Sequence, residues 1–227
     1  MRWRVLTGWV LGAAVVAVIV GVPAAHYRIS YDQAKRFRVV DDGRLYRSGQ
    51  MTAAGFRDAI RKHRIRTVIN LQSSSDDKSG GQDWGDPFIP ATAVGGAKRK
   101  ESDIVAEAGA RYLQIDCNSL DKAGPDGYPA VLDEVYKVFD DESSYPILVH
   151  CKAGLHRTGL VVAAYRMEYQ GRSRVEALDE LRANGFGAFK STDANVYIKA
   201  GITEFERRKR GPDGKPVTPK PTAEVCR

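Results

Sequence analysis

The chain has 227 residues, which is room for one domain of ordinary size with short appendages. Its formal net charge of +7 lies at the two ends, because Arg2, Arg4 and residues 207–227 carry the whole excess while residues 5–206 sum to zero. A neutral body offers no basic face that could follow a phosphate backbone, so the sequence predicts no nucleic-acid partner.

The N-terminus predicts an association with a membrane. Residues 5–25 are uncharged and mostly apolar, and a run of this length can cross a bilayer as one helix. We favour an uncleaved anchor over residues 1–25, with a cleaved signal sequence and secretion as the alternative. The arginines ahead of the run favour a cytoplasmic N-terminus in a bacterial cytoplasmic membrane, although the basic residues behind it weaken the asymmetry. After a linker over residues 26–38, the rest of the chain is then expected in the periplasm.

The first elements of the domain have local signals. Residues 38–50 predict a hairpin with an Asp-Gly turn at Asp42. Thr52 is a suitable N-cap for a helix over residues 53–62. Residues 66–71 form a nearly continuous apolar run, as expected of a parallel strand that is covered on both faces.

Residues 72–100 interrupt this pattern, because serines, glycines and prolines give them loop composition throughout. A loop of this length inside a compact domain is usually functional or disordered. Trp84, Phe88 and Ile89 are candidates for packing the segment over a site as a lid. A loose insertion with a local hydrophobic anchor is the equal alternative.

Strands and helices then alternate to the C-terminus. The predicted elements are a helix over 102–108 that ends at Gly109, a strand over 111–116, a polar loop over 118–128, a helix from Pro129 to Phe139, a strand over 147–150 and helices over 158–169, 174–183 behind an N-cap at Ser173, and 193–207. The alternation predicts an α/β domain over residues 39–207 with a central, mainly parallel sheet flanked by helices. Residues 208–227 are expected to be a basic, disordered tail.

Residues 150–159 carry the clearest chemical signal, with the sequence His-Cys-Lys-Ala-Gly-Leu-His-Arg-Thr-Gly between a strand and a helix. Inward N–H groups and a helix N-terminus bind a phosphate dianion and favour the thiolate of Cys151. Cys151 is the candidate nucleophile, and the fork of Arg157 can hold two phosphate oxygens. Gly154 and Gly159 are expected to allow backbone geometry that a side chain would hinder. The remaining predicted phosphate-binding positions are Lys152, Ala153, Leu155 and His156.

This loop resembles that of the cysteine-dependent protein tyrosine phosphatase superfamily, in the bacterial dual-specificity branch. Residues 45–49, Leu-Tyr-Arg-Ser-Gly, also resemble the segment that begins the catalytic domain in that branch. The resemblance covers about residues 39–207 and implies the tyrosine phosphatase-like fold and activity. It further implies that His150 orients the loop and that Thr158 donates a hydrogen bond to the sulfur of Cys151.

Other proteins share the spacing between the cysteine and the arginine. Rhodanese-like and arsenate-reducing proteins do so, but the Arg-Thr-Gly ending and the long upstream region favour the phosphatase. A phosphate-binding pseudoenzyme is disfavoured because both Cys151 and Arg157 are present. The superfamily needs no metal, and the cysteines and histidines of this chain have no metal-ligand spacing. We therefore expect no cofactor.

Breaking a phosphate ester requires a proton for the leaving oxygen, and the superfamily takes it from an aspartate upstream of the cysteine. Asp121, inside the polar loop, is the favoured general acid. Asp116, at the end of the preceding strand, is the alternative, and a turn suits Asp126 better.

The substrate is less clearly indicated. Phosphorylated proteins, with phosphotyrosine and also phosphoserine or phosphothreonine, are the first choice. Lys152 and His156 make the loop similar to that of phosphoinositide phosphatases, which makes phosphoinositides or inositol phosphates the alternative. His156 is only partly charged at neutral pH, which weakens that alternative.

Overall fold

A computed structural model of the chain describes residues 2–27, 34–72, 88–89, 99–117, 127–187, 196–212 and 214. Its helices are α1 (Arg2–Tyr27), α2 (Ala53–His63), α3 (Glu101–Glu107), α4 (Tyr128–Phe139), α5 (His156–Tyr169), α6 (Arg174–Ala183) and α7 (Val196–Thr203), with a 3₁₀ turn at Glu142–Ser144. Its strands are β1 (Arg38–Asp41), β2 (Leu45–Ser48), β3 (Thr67–Asn70), β4 (Phe88–Ile89), β5 (Arg99–Lys100), β6 (Arg111–Gln114) and β7 (Ile147–His150).

Five of these strands form the central sheet, in the order β1-β2-β7-β3-β6. Only the β1–β2 hairpin is antiparallel within it, and the other neighbours are parallel. The central strand β7 ends at His150, which pairs in register with Ser48 of β2 and Asn70 of β3. The predicted mainly parallel sheet is confirmed, and its central strand leads directly into residue 151.

Helices cover both faces of this sheet. On one face α4, α5, α6 and α7 pack around Ile147 and Val149, and on the other α2 and α3 pack around Leu148. Successive residues of β7 therefore enter different cores, which explains why its sequence is continuously apolar rather than alternating.

The local signals in the sequence match the observed helix and hairpin ends. The Thr52 side chain accepts a hydrogen bond from the N–H of Gly55. Ser173 forms a full capping box with Glu176 at the start of α6. Gly43, in the turn between β1 and β2, has a φ of +70°. The last helix is shorter than predicted, since α7 ends at Thr203.

Helix α1 contains the run of uncharged residues. Its segment Gly8–His26 has a mean hydropathy of 2.2, and none of it is buried in the protein. By length and composition α1 is able to cross a membrane, and a signal sequence has the same properties.

Residues just outside the predicted domain limits contact the domain on both sides, and the limits themselves stay a prediction. On the N-terminal side Arg36 and Phe37, expected in a linker, pack on the domain, since Phe37 stacks on His63 at 4.8 Å between ring centroids and Arg36 donates to Ala153 O. On the C-terminal side the side chain of Arg208 is only 8% exposed. The guanidinium of Arg208 lies against the buried carboxylate of Glu168 on α5, because a buried charge needs a partner of opposite sign.

The predicted lid lies mostly outside the described residues. Within it, β4 and β5 pair as a short antiparallel ladder, with Phe88 opposite Lys100. The side chains of Trp84, Phe88 and Ile89 fall outside the description, so the lid stays a prediction.

Candidate active site

The loop between β7 and α5 wraps around the sulfur of Cys151. The backbone N–H of Gly154 donates to Cys151 Sγ over 3.3 Å. Helix α5 begins at His156, so its N-terminus lies at the end of the same loop. Cys151 is 5% exposed, and its sulfur therefore faces these dipoles in a nearly dry environment. An N–H donor and a helix N-terminus together form a site that suits an anion.

Glycine is required at residues 154 and 159 for different reasons. Gly154 has a φ of +72°, and a Cβ on it would lie 2.5 Å from Gly49 N and 2.6 Å from the carbonyl carbon of Ser48. Gly159 has ordinary helical geometry, but a Cβ there would overlap Leu181 Cδ1. The backbone explanation predicted for both glycines holds for Gly154, whereas Gly159 is needed for the close packing of α5 on α6.

Three consecutive carbonyl groups of the loop are bound from outside. Arg36 Nη1 donates to Ala153 O at 2.9 Å, and Arg47 Nη2 donates to Gly154 O at 2.8 Å. The backbone N–H of Gln50 donates to Lys152 O at 3.2 Å. In a trans peptide the N–H points away from the carbonyl oxygen. Holding the carbonyl groups outward therefore turns the following N–H groups inward, which is the arrangement that binds a phosphate.

Arg47 is a functional residue that the sequence reasoning missed. It is 3% exposed in strand β2, directly behind the loop. Burial lowers the pKa of Arg47 to about 10, and the attraction of Cys151 opposes this effect. Arg47 therefore keeps its charge at neutral pH and adds a buried positive charge near the sulfur. Its partner Gly154 lies 107 residues further along the chain, so no local pattern in the sequence could have indicated this contact.

Arg157 lies between two elements at the mouth of the loop. Its Nη1 donates to Leu71 O over 3.3 Å, just after β3. On the other side lies Tyr197 of α7. Burial raises the pKa of Tyr197, whereas the charge of Arg157 and its hydrogen bond lower it. The sequence reasoning did not identify Tyr197 as a neighbour of the site, since α7 follows Arg157 by some forty residues.

The two residues expected to support the cysteine are both fully buried. His150 Nε2 lies 2.7 Å from Glu101 Oε1, and its ring meets the ring of Phe56 edge-on. The Thr158 hydroxyl makes no hydrogen bond with the residues that the structure describes, so the bond expected between Thr158 and the Cys151 sulfur is not formed here.

The two basic side chains predicted to attract highly charged substrates differ in their surroundings. Lys152 is exposed at the loop. His156 is half-buried, and burial together with the charge of Arg157 lowers the pKa of its imidazole. His156 is thus neutral at neutral pH and adds no positive charge to the loop.

The proposed proton donors are placed unevenly. Asp121 and Asp126 lie in residues 118–126, outside the described part of the chain. Asp116 is exposed just beyond the carboxyl end of β6, and β3 separates that strand from β7. The choice between Asp121 and Asp116 therefore stays a prediction.

Across the ranges that the structure covers, no group of three or more His, Cys, Asp or Glu side chains could hold a metal ion. Positive charge around the phosphate loop is supplied by the guanidinium groups of Arg36, Arg47 and Arg157, the ammonium of Lys152 and the N-terminus of α5.

Two curated proteins contain stretches of sequence that are similar to part of this chain. A stretch of 59 residues is 42% identical to the dual specificity protein phosphatase TpbA of Pseudomonas aeruginosa, and it covers 26% of this chain and 27% of TpbA. A stretch of 95 residues is 33% identical to the inositol diphosphatase DSP2 of Oryza sativa subsp. japonica, and it covers 38% of this chain and 46% of DSP2. The chain thus spans less than half the length of these relatives.

Solved structures and a family-wide sequence model agree with this comparison. The core catalytic domain of the PP-IP phosphatase SIW14 from S. cerevisiae has a TM-score of 0.52 at 18% identity, covering 74% of this chain and 85% of that one. P. aeruginosa TpbA has a TM-score of 0.51 at 22% identity, covering 75% and 90%. These likenesses confirm the predicted fold. The sequence model of the tyrosine phosphatase family matches residues 29–173, more than half of the chain. The chain belongs to the tyrosine phosphatase family.

Proposed function

We propose that this protein hydrolyses phosphate monoesters on proteins, with phosphotyrosine as the main substrate and phosphoserine or phosphothreonine accepted as well. The observation that carries the proposal is the Gly154 N–H on the Cys151 sulfur, inside a loop whose carbonyl groups are bound from outside. That arrangement fits a thiolate nucleophile at the bottom of a phosphate-sized cradle.

The reaction follows from these groups in two displacements. The Cys151 thiolate attacks phosphorus, the S–P bond forms, and the P–O bond to the leaving group breaks as an aspartic acid supplies its proton. Water then attacks the cysteinyl phosphate, the aspartate accepts a proton from it, and the S–P bond breaks. Arg157 binds two equatorial phosphate oxygens through both displacements.

The mechanism is tested on the detergent-solubilised full-length protein with an aryl phosphate in the presence of EDTA. We expect turnover that vanadate inhibits, and we expect Cys151→Ser to lose at least about 10³-fold in kcat while it still binds vanadate, because a serine hydroxyl is a much weaker nucleophile here. Arg157→Lys is expected to be severely impaired, since an ammonium cannot replace the two-pronged guanidinium contact. Unchanged turnover by Cys151→Ser would overturn the mechanism.

For the proton, the proposal is that Asp121 is the general acid. Asp121→Asn is expected to slow hydrolysis of a phosphotyrosine peptide by about 10²–10⁴-fold and to affect a nitrophenyl phosphate far less, because the activated leaving group hardly needs the proton. Asp116→Asn is the matched comparison. If Asp116→Asn alone shows this dependence on the leaving group, Asp116 takes the role instead.

A second substrate class has specific support. Lys152 is exposed at the loop, and one relative of the chain is an inositol diphosphatase. The lowered pKa of His156 argues against it, because a neutral imidazole adds no charge for a highly phosphorylated ring. A panel of phosphopeptides, phosphoinositide vesicles and inositol phosphates decides the matter through the ratio of their kcat/KM values, with phosphopeptides expected to be preferred.

We propose further that α1 anchors the protein in a bacterial cytoplasmic membrane with the catalytic domain in the periplasm. The apolar segment Gly8–His26 and the two arginines before it support this orientation. An alkaline phosphatase reporter fused after residue 227 is expected to be active. An inactive reporter at normal expression places the domain in the cytoplasm, and release of the fusion into the soluble fraction indicates cleavage.

A further inference from the structure

Glu101 is a fully buried carboxylate that none of the predicted site roles uses. Its Oε1 lies 2.7 Å from His150 Nε2, and both side chains are 0% exposed. Burying a carboxylate is strongly unfavourable unless a partner compensates it. Within the described part of the chain, none of the two carboxylate oxygens of Glu101 and the two ring nitrogens of His150 makes a hydrogen bond of regular geometry, so the two side chains meet in a close polar contact. The contact between the two side chains is therefore the main compensation that either of them has.

His150 connects this contact to the nucleophile. It is the last residue of β7 and precedes Cys151 directly, and its carbonyl oxygen accepts a hydrogen bond from Leu71 N at 2.9 Å. Its imidazole meets the ring of Phe56 edge-on, with 5.2 Å between the centroids. Phe56 limits the ring on one side and Glu101 fixes its outer nitrogen. A rotation of the His150 side chain would therefore disturb packing immediately before the sulfur.

Glu101 is itself held firmly. It is the first residue of α3, where a negative side chain is favoured by the helix dipole. Ile104 and Val105 of the same helix are fully buried in the core on this face of the sheet. The carboxylate thus reaches His150 from a helix that is packed in the core.

We propose that Glu101 is a positioning residue, which acts through His150 to hold Cys151 and the start of the phosphate loop in their reactive arrangement. This proposal rests on the proposed phosphatase function. A carboxylate attracts the polar edge of an imidazole more strongly than an amide does, so the 2.7 Å contact fixes the orientation of the ring.

The test compares two buried glutamates in the full-length protein. Glu101→Gln keeps the size and one acceptor, whereas Glu101→Ala removes both. The matched control is Glu168→Gln, because Glu168 is also 0% exposed and partnered, by Arg208, but lies at the far end of α5 from the loop. Three quantities are measured for each variant: the melting temperature, kcat and KM on an aryl phosphate, and the rate at which iodoacetamide alkylates Cys151.

We expect Glu101→Gln to lower kcat about tenfold with little change in KM, and Glu101→Ala to lower it about 100-fold, the range typical of groups that orient a reacting side chain from behind. The alkylation rate of Cys151 is expected to change in both variants in the same order. Glu168→Gln is expected to lower the melting temperature and to leave kcat and alkylation as in the wild type.

Two results would distinguish failure of the Glu101 proposal from failure of the proposed phosphatase function. If Glu101→Gln lowers only the melting temperature, as Glu168→Gln does, then Glu101 is merely structural and the proposal is wrong. If the wild type hydrolyses no phosphate ester but the alkylation rate still responds to Glu101→Gln, the phosphatase function fails while the positioning of Cys151 by Glu101 stands.

Discussion

The two ends of α5 handle buried charge differently. At the C-terminal end Arg208 bonds to Asp140, lies against Glu168 and stacks 4.0 Å above the ring of Tyr136, so that charges and rings meet their partners within the protein. At the N-terminal end Arg157 donates to the Leu71 carbonyl, beside a loop of inward N–H groups. The first end is complete without a ligand, whereas the second is arranged to receive an anion. Stability and activity should therefore respond separately to changes at the two ends.

The largest expected effect is on stability, at the C-terminal end. Arg208→Met leaves the buried carboxylate of Glu168 without its cation, and breaking a buried pair in this way typically lowers the free energy of unfolding by about 3–5 kcal/mol. Urea unfolding followed by fluorescence measures the loss. In the same samples, kcat per folded molecule is expected to match the wild type.

The comparison would fail if Arg208→Met reduced kcat as strongly as it reduces stability. Adding Glu168→Gln to Arg208→Met provides a control, because removing the orphaned charge is expected to recover part of the lost stability.

The next effect concerns two glycines with nearly the same backbone, one at each end of the helix. Gly154 has a φ of +72° and Gly171 a φ of +70°. An alanine Cβ at residue 154 would overlap the backbone of Gly49 and Ser48, whereas at residue 171 it meets only the flexible Arg207 Nη2 at 3.2 Å. Gly154→Ala is expected to lower kcat/KM about 100-fold, since displacing a reacting group by about 1 Å has effects of that size.

Gly171→Ala shares the left-handed strain but not the overlap, so we expect it to lose about 1 kcal/mol of stability and no activity. Steady-state kinetics and thermal melts on both variants make the comparison. Wild-type kcat/KM in Gly154→Ala would show that the loop tolerates rearrangement and that its conformation is not the source of reactivity.

The features that could be predicted from the sequence are those that depend on neighbouring residues. The hairpin turn at Gly43, the caps at Thr52 and Ser173 and the phosphate loop itself were all predicted, because each depends on residues within a few positions of one another. The parallel sheet followed from the alternation of these elements. Local chemistry was therefore enough for the architecture, and it also supplied the prediction of Cys151 and Arg157 as site residues.

The residues that were missed depend on distant partners. Arg47 lies behind Gly154, and Glu101 meets His150, at separations along the chain that no local pattern reports. Arg208 stands in a basic run that has the composition of a solvated tail, and only the position of Glu168 explains why it is buried.

The smallest expected effect is a pH dependence at the N-terminal end. The pKa of His156 is lowered in the folded protein, so the unfolded chain binds its proton more readily. The free energy of unfolding should consequently fall as the pH drops from about 7 through 6.5 and level off below the folded pKa. His156→Gln removes this contribution and flattens the profile, as measured by melting temperatures between pH 5 and 8.

His63 on α2 offers an additive check, because burial and the neighbouring Lys62 lower its pKa as well. His63→Gln is expected to remove a contribution of the same sign, and the double variant should have the flattest profile. A steeper profile in His156→Gln would contradict the assigned direction.

The residues on either side of residues 72–100 meet at a single residue, His150. Leu71 N donates to the carbonyl of His150, and Glu101, the first residue after the segment, contacts the His150 ring. For a segment closed at one point, the entropy lost on closure grows only with the logarithm of its length, so doubling or halving it changes the folding free energy by about 0.6 kcal/mol. The length of this stretch is thus almost thermodynamically neutral. Shortening or lengthening it in this protein is therefore expected to cost little stability, as long as Leu71 and Glu101 keep their contacts with His150.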